Sequence, residues 1–132
     1  MDDTSIVILL VEDDATIALL SEDALLEAGF KVELVASAAK ALALLDRPDA
    51  AFKALVTDVN LGGDGPNGWD VARHAREVFP AIPVVYVTGD SAAEWTSRGV
   101  PNSILLTKPF VSAQLVTAVS QLLNAAPPPV AV

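Results

Sequence analysis

Five short apolar runs, rich in β-branched residues, alternate along the chain with longer stretches whose apolar positions recur at helical spacing. Runs this short and continuous read as strands buried on both faces, and helices between them imply a parallel sheet. The strands fall at Ile6 to Val11, Lys31 to Val35, Phe52 to Thr57, Ile82 to Val87 and Ser103 to Thr107. The first helix runs from near Asp14 to Gly29, a glycine placed where a left-handed cap is wanted. Ser37 caps a second helix through Leu45, which Arg47-Pro48-Asp49 breaks, and Trp69 to Val78 forms a third, stopped before Pro80. Residues 91–98 make a short, weakly patterned helix, and Val111 to Leu123 the last one. Right-handed crossovers then give an α/β sandwich of (βα)5 type with helices on both faces. Residues 1–5 read as a polar lead-in, 6–125 as the domain, and 126–132, within the run AAPPPVAV, as a flexible C-terminal tail.

Composition narrows the class. With 132 residues the chain suits one domain with a real core. It is 52% hydrophobic, yet no uninterrupted apolar stretch approaches the roughly 20 residues of a membrane span, so no membrane association is expected. The N-terminus lacks the basic, apolar and small-residue sequence of an export signal. Absence of cysteine fits a reducing cytoplasm. A net charge of −9 makes nucleic acid a poor partner.

The candidate chemistry sits where apolar runs end: Glu12-Asp13-Asp14 after IVILLV, Asp58 after ALVT, Thr88 after PVVYV, and Lys108-Pro109 after SILLT. In an open parallel sheet, groups just past the carboxyl ends of the strands gather in one crevice. A carboxylate there can accept a phosphoryl group, provided the charge on the transferring group is neutralised. Magnesium suits that task, since a few carboxylates, waters and phosphate oxygens hold it. Glu12, Asp13 and Asp58 can supply the carboxylates, Lys108 a mobile positive charge and Thr88 a hydroxyl donor. Each piece alone has a plainer use: paired acids cap helices, which is the role left to Asp14, and Lys-Pro marks a bend. Their coincidence at successive strand ends favours the chemical reading.

LVEDD, LVTDVN, VVYVTG and LLTKPF, in this order and spacing, resemble the response-regulator receiver domains of two-component signalling. The resemblance covers nearly the whole chain. It implies a flavodoxin-like, CheY-like doubly wound sheet of strand order 2-1-3-4-5. It also implies Asp58 as phosphoacceptor, and Glu12, Asp13, Asp58 and the main-chain carbonyl of Asn60 as ligands of Mg2+ or Mn2+. Thr88 and Lys108 would grip the phosphoryl group, and the Lys108-Pro109 bond would be cis. Asn60 and Asp90 would tune phosphate lifetime. The donor would be a histidine kinase or histidine phosphotransfer protein, and the output protein contact, a relay step or a phosphate sink, without enzymatic turnover of free substrates. A downstream protein target or a self-dimer completes the partners implied. Leu105 stands where the family commonly has a switching aromatic, so a rotating aromatic cannot be the signal there. The loop NLGGDGPNGWD lacks the family's proline and is longer than usual.

Two other readings compete. Gly63, Gly65 and Gly68 satisfy GxGxxG, with Asp90 downstream as a ribose-binding acid, but they start too far past the strand for a dinucleotide turn. A haloacid-dehalogenase-like aspartyl-phosphate hydrolase would share the Asp, Thr, Lys and magnesium. It needs an acid two residues after the nucleophile, where this chain has Asn60. On the first helix, about 100° per residue sets Ile17, Leu20, Ala24, Leu25 and Ala28 toward the sheet and leaves Leu19 and Leu26 as an outward stripe for a partner. His74 reads as solvated, Trp69 as covering the core, and Trp95 as either surface or partner contact.

Overall fold

Every apolar run forms a strand: β1 (Val7–Val11), β2 (Lys31–Val35), β3 (Ala54–Asp58), β4 (Val84–Thr88) and β5 (Ser103–Thr107). The computed structural model describes residues 6–125, so the lead-in 1–5 and the tail 126–132 lie outside the described residues. Between the strands run α1 (Ala15–Glu27), α2 (Ala38–Leu45), α3 (Gly68–Val78), a 3-10 turn (Ala92–Glu94) leading into the short α4 (Trp95–Arg98), and finally α5 (Ser112–Asn124). All strand pairs are parallel, in the order β2-β1-β3-β4-β5, the doubly wound arrangement expected. β3 and β4 each end one residue later than the apolar pattern placed them. The ladder pairs Asp58 with Val87 and Thr88 with Thr107, so both polar residues are the last of their strands rather than the first of a loop.

The central strands read as continuous apolar runs because helices cover both faces. Alternate residues of β1, β3 and β4 feed two cores. Leu9, Val11, Leu55, Val84 and Tyr86 pack with Leu45, Trp69 and Val71 on the α2–α3 side. Ile8, Leu10, Val56, Val85 and Val87 pack with Leu25, Leu115 and Val119 on the α1–α5 side. Trp69 is fully buried, its ring centroid 4.7 Å from that of Tyr86, so it does close the core.

Helix α1 departs from its expected orientation. Its buried residues are Ala18, Ser21, Ala24 and Leu25, whereas Leu20 is 58% exposed and Ala28 is also exposed. The helix packs on α5 as well as on the sheet, and small side chains let the two helices approach, which rotates the buried arc away from Leu20. Asp14 accepts a hydrogen bond from the Ile17 amide, and such a cap contributes about 1 kcal/mol. Burying Leu25 contributes about 1.5–3 kcal/mol. The cap therefore fixes where the helix starts, and the core fixes where it lies.

Arg76 of α3 straps two loops to the sheet's amino edge. Its guanidinium donates to the carbonyls of Ile82 (2.7 Å), Pro101 (2.6 Å) and Asn102 (3.1 Å), the last residue standing at φ +59°. A second strap is made by His74, which is part-exposed as its polar face predicted but paired with two carboxylates. Its Nε2 lies 2.6 Å from Asp46 at the end of α2, and its Nδ1 lies 3.3 Å from Glu77. The Asp46 hydrogen bond raises the imidazole pKa above its usual 6.5, outweighing partial burial, and Glu77 adds to the rise. This stabilisation is complete below the unfolded pKa and fades as pH rises through the folded one. The melting temperature of the wild type should therefore fall relative to His74→Gln as pH rises from below the usual imidazole pKa of about 6.5 to above the raised one, in proportion to imidazole deprotonation. A difference that stays constant across that range would show that no such strap operates.

Candidate functional site

Parallel pairing brings the carboxyl ends of β1, β3, β4 and β5 to one rim. Glu12 leaves β1 still tied to the sheet, its amide donating to the Val35 carbonyl at 3.1 Å, and its side chain turns inward, 4% exposed. Asp58 ends β3 and is 5% exposed, while Asp13 is exposed beside them. Carboxylate oxygens of Glu12, Asp13 and Asp58 lie within 4.8 Å of one another. Lys108, just past β5, reaches across so that its Nζ is 3.1 Å from Asp58 Oδ2 and 3.5 Å from Glu12 Oε1. The Asp58 Oδ1 atom accepts the Asn60 amide at 3.2 Å. The Lys108-Pro109 bond is cis.

Crowded charge shifts these groups. Burial pushes the Glu12 carboxyl up to about 7; the Asp14 amide, donating at 3.1 Å, and Lys108 oppose the rise, and neighbouring Asp58 adds to it. Burial also works against the Lys108 ammonium, but its contacts with Asp58 and Glu12 outweigh that and hold its pKa above the usual lysine value. One ammonium among three carboxylates leaves net negative charge, and a hard divalent cation with oxygen ligands fits the donor set.

Thr88 is buried, and its hydroxyl oxygen accepts the amides of Ser91 (2.9 Å) and Asp90 (3.3 Å). Asn60 and Asp90 meet side chain to side chain, Nδ2 to Oδ1 at 2.6 Å, which joins the loops after β3 and β4 at the rim. Ser91, unremarked in the sequence, completes this knot by bonding both Asp90 (3.1 Å) and Asn60 (3.3 Å); a Ser three residues after Thr88, at the start of a turn, was its signal. Leu105 stands apart from the cluster, half-buried in the core beside its β4 neighbour Tyr86. The glycines of the GxGxxG match form no phosphate cradle. Gly63 turns the loop at φ +70°, and a side chain at Gly68 would overlap the Asp58 carbonyl. Trp95 is half-buried, its indole N–H donating to Ser103 Oγ at 2.9 Å, so it is not a free surface tryptophan.

A doubly wound parallel sheet with a lysine-bridged acid cluster at its carboxyl rim defines a CheY-like α/β domain. Residues 8–120 match the response regulator receiver domain family. A solved response regulator receiver protein from Sinorhizobium medicae is 52% identical, with a TM-score of 0.88 over 92% of this chain and 97% of that one. A response regulator receiver protein of Anaeromyxobacter sp. is 38% identical over 112 residues, 85% of this chain and 43% of the relative, so the chain spans less than half of that protein. The receiver domain of a Pseudomonas aeruginosa sensor histidine kinase, solved with magnesium in its active-site cleft, shares the fold at 23% identity and a TM-score of 0.74, over 92% of this chain and 100% of that one. The chain belongs to the response-regulator receiver domains of two-component systems. Nothing in these likenesses supports the haloacid-dehalogenase alternative.

The acid cluster yields a direct test. Loss of an outer-shell partner alone costs metal sites about 10–100-fold in affinity, so Glu12→Gln with Asp13→Asn should weaken magnesium binding by more than about tenfold. Asp14→Ala, which removes only the helix cap, should change it little. Magnesium titration followed by Trp fluorescence or calorimetry distinguishes the two, and equal losses would displace the site from Glu12 and Asp13.

Proposed function

We propose that Asp58 accepts a phosphoryl group from the phosphohistidine of a histidine kinase or histidine phosphotransfer protein. The observation that carries this reading is Lys108 Nζ set between Asp58 Oδ2 (3.1 Å) and Glu12 Oε1 (3.5 Å). That arrangement holds an ammonium where phosphoryl oxygens would arrive. Glu12, Asp13, Asp58 and the Asn60 main-chain carbonyl would hold Mg2+ or Mn2+, which when bound neutralises charge on the phosphoryl oxygens. An Asp58 carboxylate oxygen forms the new P–O bond as the donor's P–N bond breaks. The departing imidazole nitrogen keeps the bonding pair and takes up a proton. Lys108 balances the phosphoryl charge, and the Thr88 hydroxyl donates to one of its oxygens.

Water attack on the same phosphorus, breaking the P–O bond to Asp58, returns the carboxylate and releases inorganic phosphate. Asn60 and Asp90, joined above the site at 2.6 Å, are placed to govern that access. The domain is thus a signalling element rather than a turnover enzyme. It would act in the bacterial cytoplasm, by protein contact, as a relay step or as a phosphate sink. Among the described residues no helix is long and apolar enough to cross a membrane.

The donor's approach is along α1. This helix starts beside Glu12 and Asp13, and Leu19 (58%), Leu20 (58%) and Leu26 (48%) lie exposed along it. Three exposed leucines continuous with the acid rim suit a helix of the phosphodonor. Incubation with acetyl phosphate and magnesium should yield a hydroxylamine-sensitive label on the wild type and none on Asp58→Asn; label retained by the variant would refute Asp58 as acceptor. Leu19→Lys with Leu26→Lys should leave that labelling intact while slowing transfer from the kinase at least about tenfold. Unchanged transfer would clear α1 of this role, and a shift from dimer to monomer in the variant would assign the stripe to self-association instead.

A further inference from the structure

The aromatic missing from Leu105 is present one strand away. Tyr86 is the direct β4 neighbour of Leu105 in register, is fully buried, and packs its ring against Trp69 on the same face of the sheet. Its hydroxyl does not face solvent or the acid cluster. It accepts the Val100 amide at 3.0 Å, where the chain returns from α4 toward β5. Ser103 reinforces that point, donating to the Val100 carbonyl at 2.7 Å and accepting the Trp95 indole N–H at 2.9 Å.

Segment 89–100 is thus held at each end by a side chain of β4, the two being two residues apart, with Asn60 adding to the near end and the Trp95–Ser103 bond to the far one. At its near end the Thr88 hydroxyl oxygen accepts the Asp90 and Ser91 amides. At its far end Tyr86 accepts the Val100 amide. Between them nothing is fully buried: neither the 3-10 turn nor α4 contributes a buried residue. The ends differ in freedom. Thr88 borders the site, so any movement of its hydroxyl toward a phosphoryl group on Asp58 must carry or break two amide contacts. Tyr86 lies away from the site, fully buried with its ring packed against Trp69.

We propose that Tyr86 is a positioning residue for signal output, a fixed pivot at Val100 against which residues 89–98 are displaced when Thr88 engages the phosphoryl group. This rests on the receiver reading of Asp58 and assigns the role that Leu105 cannot fill. The displaced surface ends at the pivot, so β5 and α5 keep their positions. A buried hydroxyl that does not move replaces an aromatic that rotates.

The test is amide hydrogen exchange on wild type and Tyr86→Phe, each with magnesium and with or without beryllium fluoride as phosphoryl mimic. Tyr86→Phe keeps the ring and removes only the acceptor. In the wild type, the mimic should alter exchange in 89–98 and leave the Val100 amide protected. In Tyr86→Phe, Val100 should lose more than about tenfold in protection, since its buried N–H is unpaired. The mimic's effect should then extend past 100 into β5, while labelling of Asp58 by acetyl phosphate proceeds as in the wild type. A purely structural hydroxyl would lower protection without changing how far the mimic's effect spreads, and that result overturns the proposal. So does loss of Val100 protection in wild type with the mimic, which decides the matter even if the variant fails to fold. Failure of wild type to label at all would instead overturn the Asp58 assignment itself.

Discussion

Negative charge concentrated at the carboxyl rim of a parallel sheet is the constraint around which this domain is arranged. Glu12 and Asp58 are almost fully buried, and Asp13 stands beside them, with Lys108 as the ammonium bridging the two buried carboxylates. Burial strips these carboxylates of hydration and their closeness adds repulsion, and together these push the Glu12 carboxyl up to about 7. Such an arrangement is costly in isolation and becomes favourable when a cation arrives. The surrounding fold supplies the rigidity that keeps the acids together. Asp58 is held in the β3 ladder, and Glu12 is held by the Val35 carbonyl.

Around this rim the loops are bound to one another as well as to the buried Thr88 hydroxyl. Asn60, Asp90 and Ser91 tie the β3 and β4 exits together by hydrogen bonds at exposed positions. Exposed hydrogen bonds contribute little to stability and exchange readily with water, so this knot can open without disturbing the two apolar cores. Opposite behaviour is built in one layer below. Trp69, Tyr86 and the sheet form a rigid packed unit, and the Arg76 strap fixes the loops at the other edge. A firm base with a loosely joined rim suits a domain whose chemistry must be felt at its surface.

Much of this was legible in the residues. A continuous β-branched run can only be a strand covered on both faces, and parallel strands alternating with helices share one carboxyl edge, so Glu12, Asp13, Asp58, Thr88 and Lys108 were bound to meet there. Local signals also held: Asp14 and Ser37 cap their helices through the expected amides. Other features were beyond reach. The face that α1 buries depends on its angle against α5, and small Ala18, Ser21 and Ala24 allow an approach that hydrophobic periodicity, which favours Leu20, does not register.

Pairing across long separations was decided by the tertiary structure alone. His74 finds Asp46 across 28 positions, Asn60 finds Asp90 across 30, and Tyr86 finds the Val100 amide across 14. No periodicity encodes such contacts, because they arise from where two packed elements place their side chains after the sheet has closed. The sequence by itself determined the strands, their common polar edge and the chemistry assembled there, since these follow from local burial patterns and parallel pairing. Only the tertiary structure decided which loops are latched, which helix face is free and where the core's one tyrosine hydroxyl is bound, since each depends on distances between elements that local pattern leaves open.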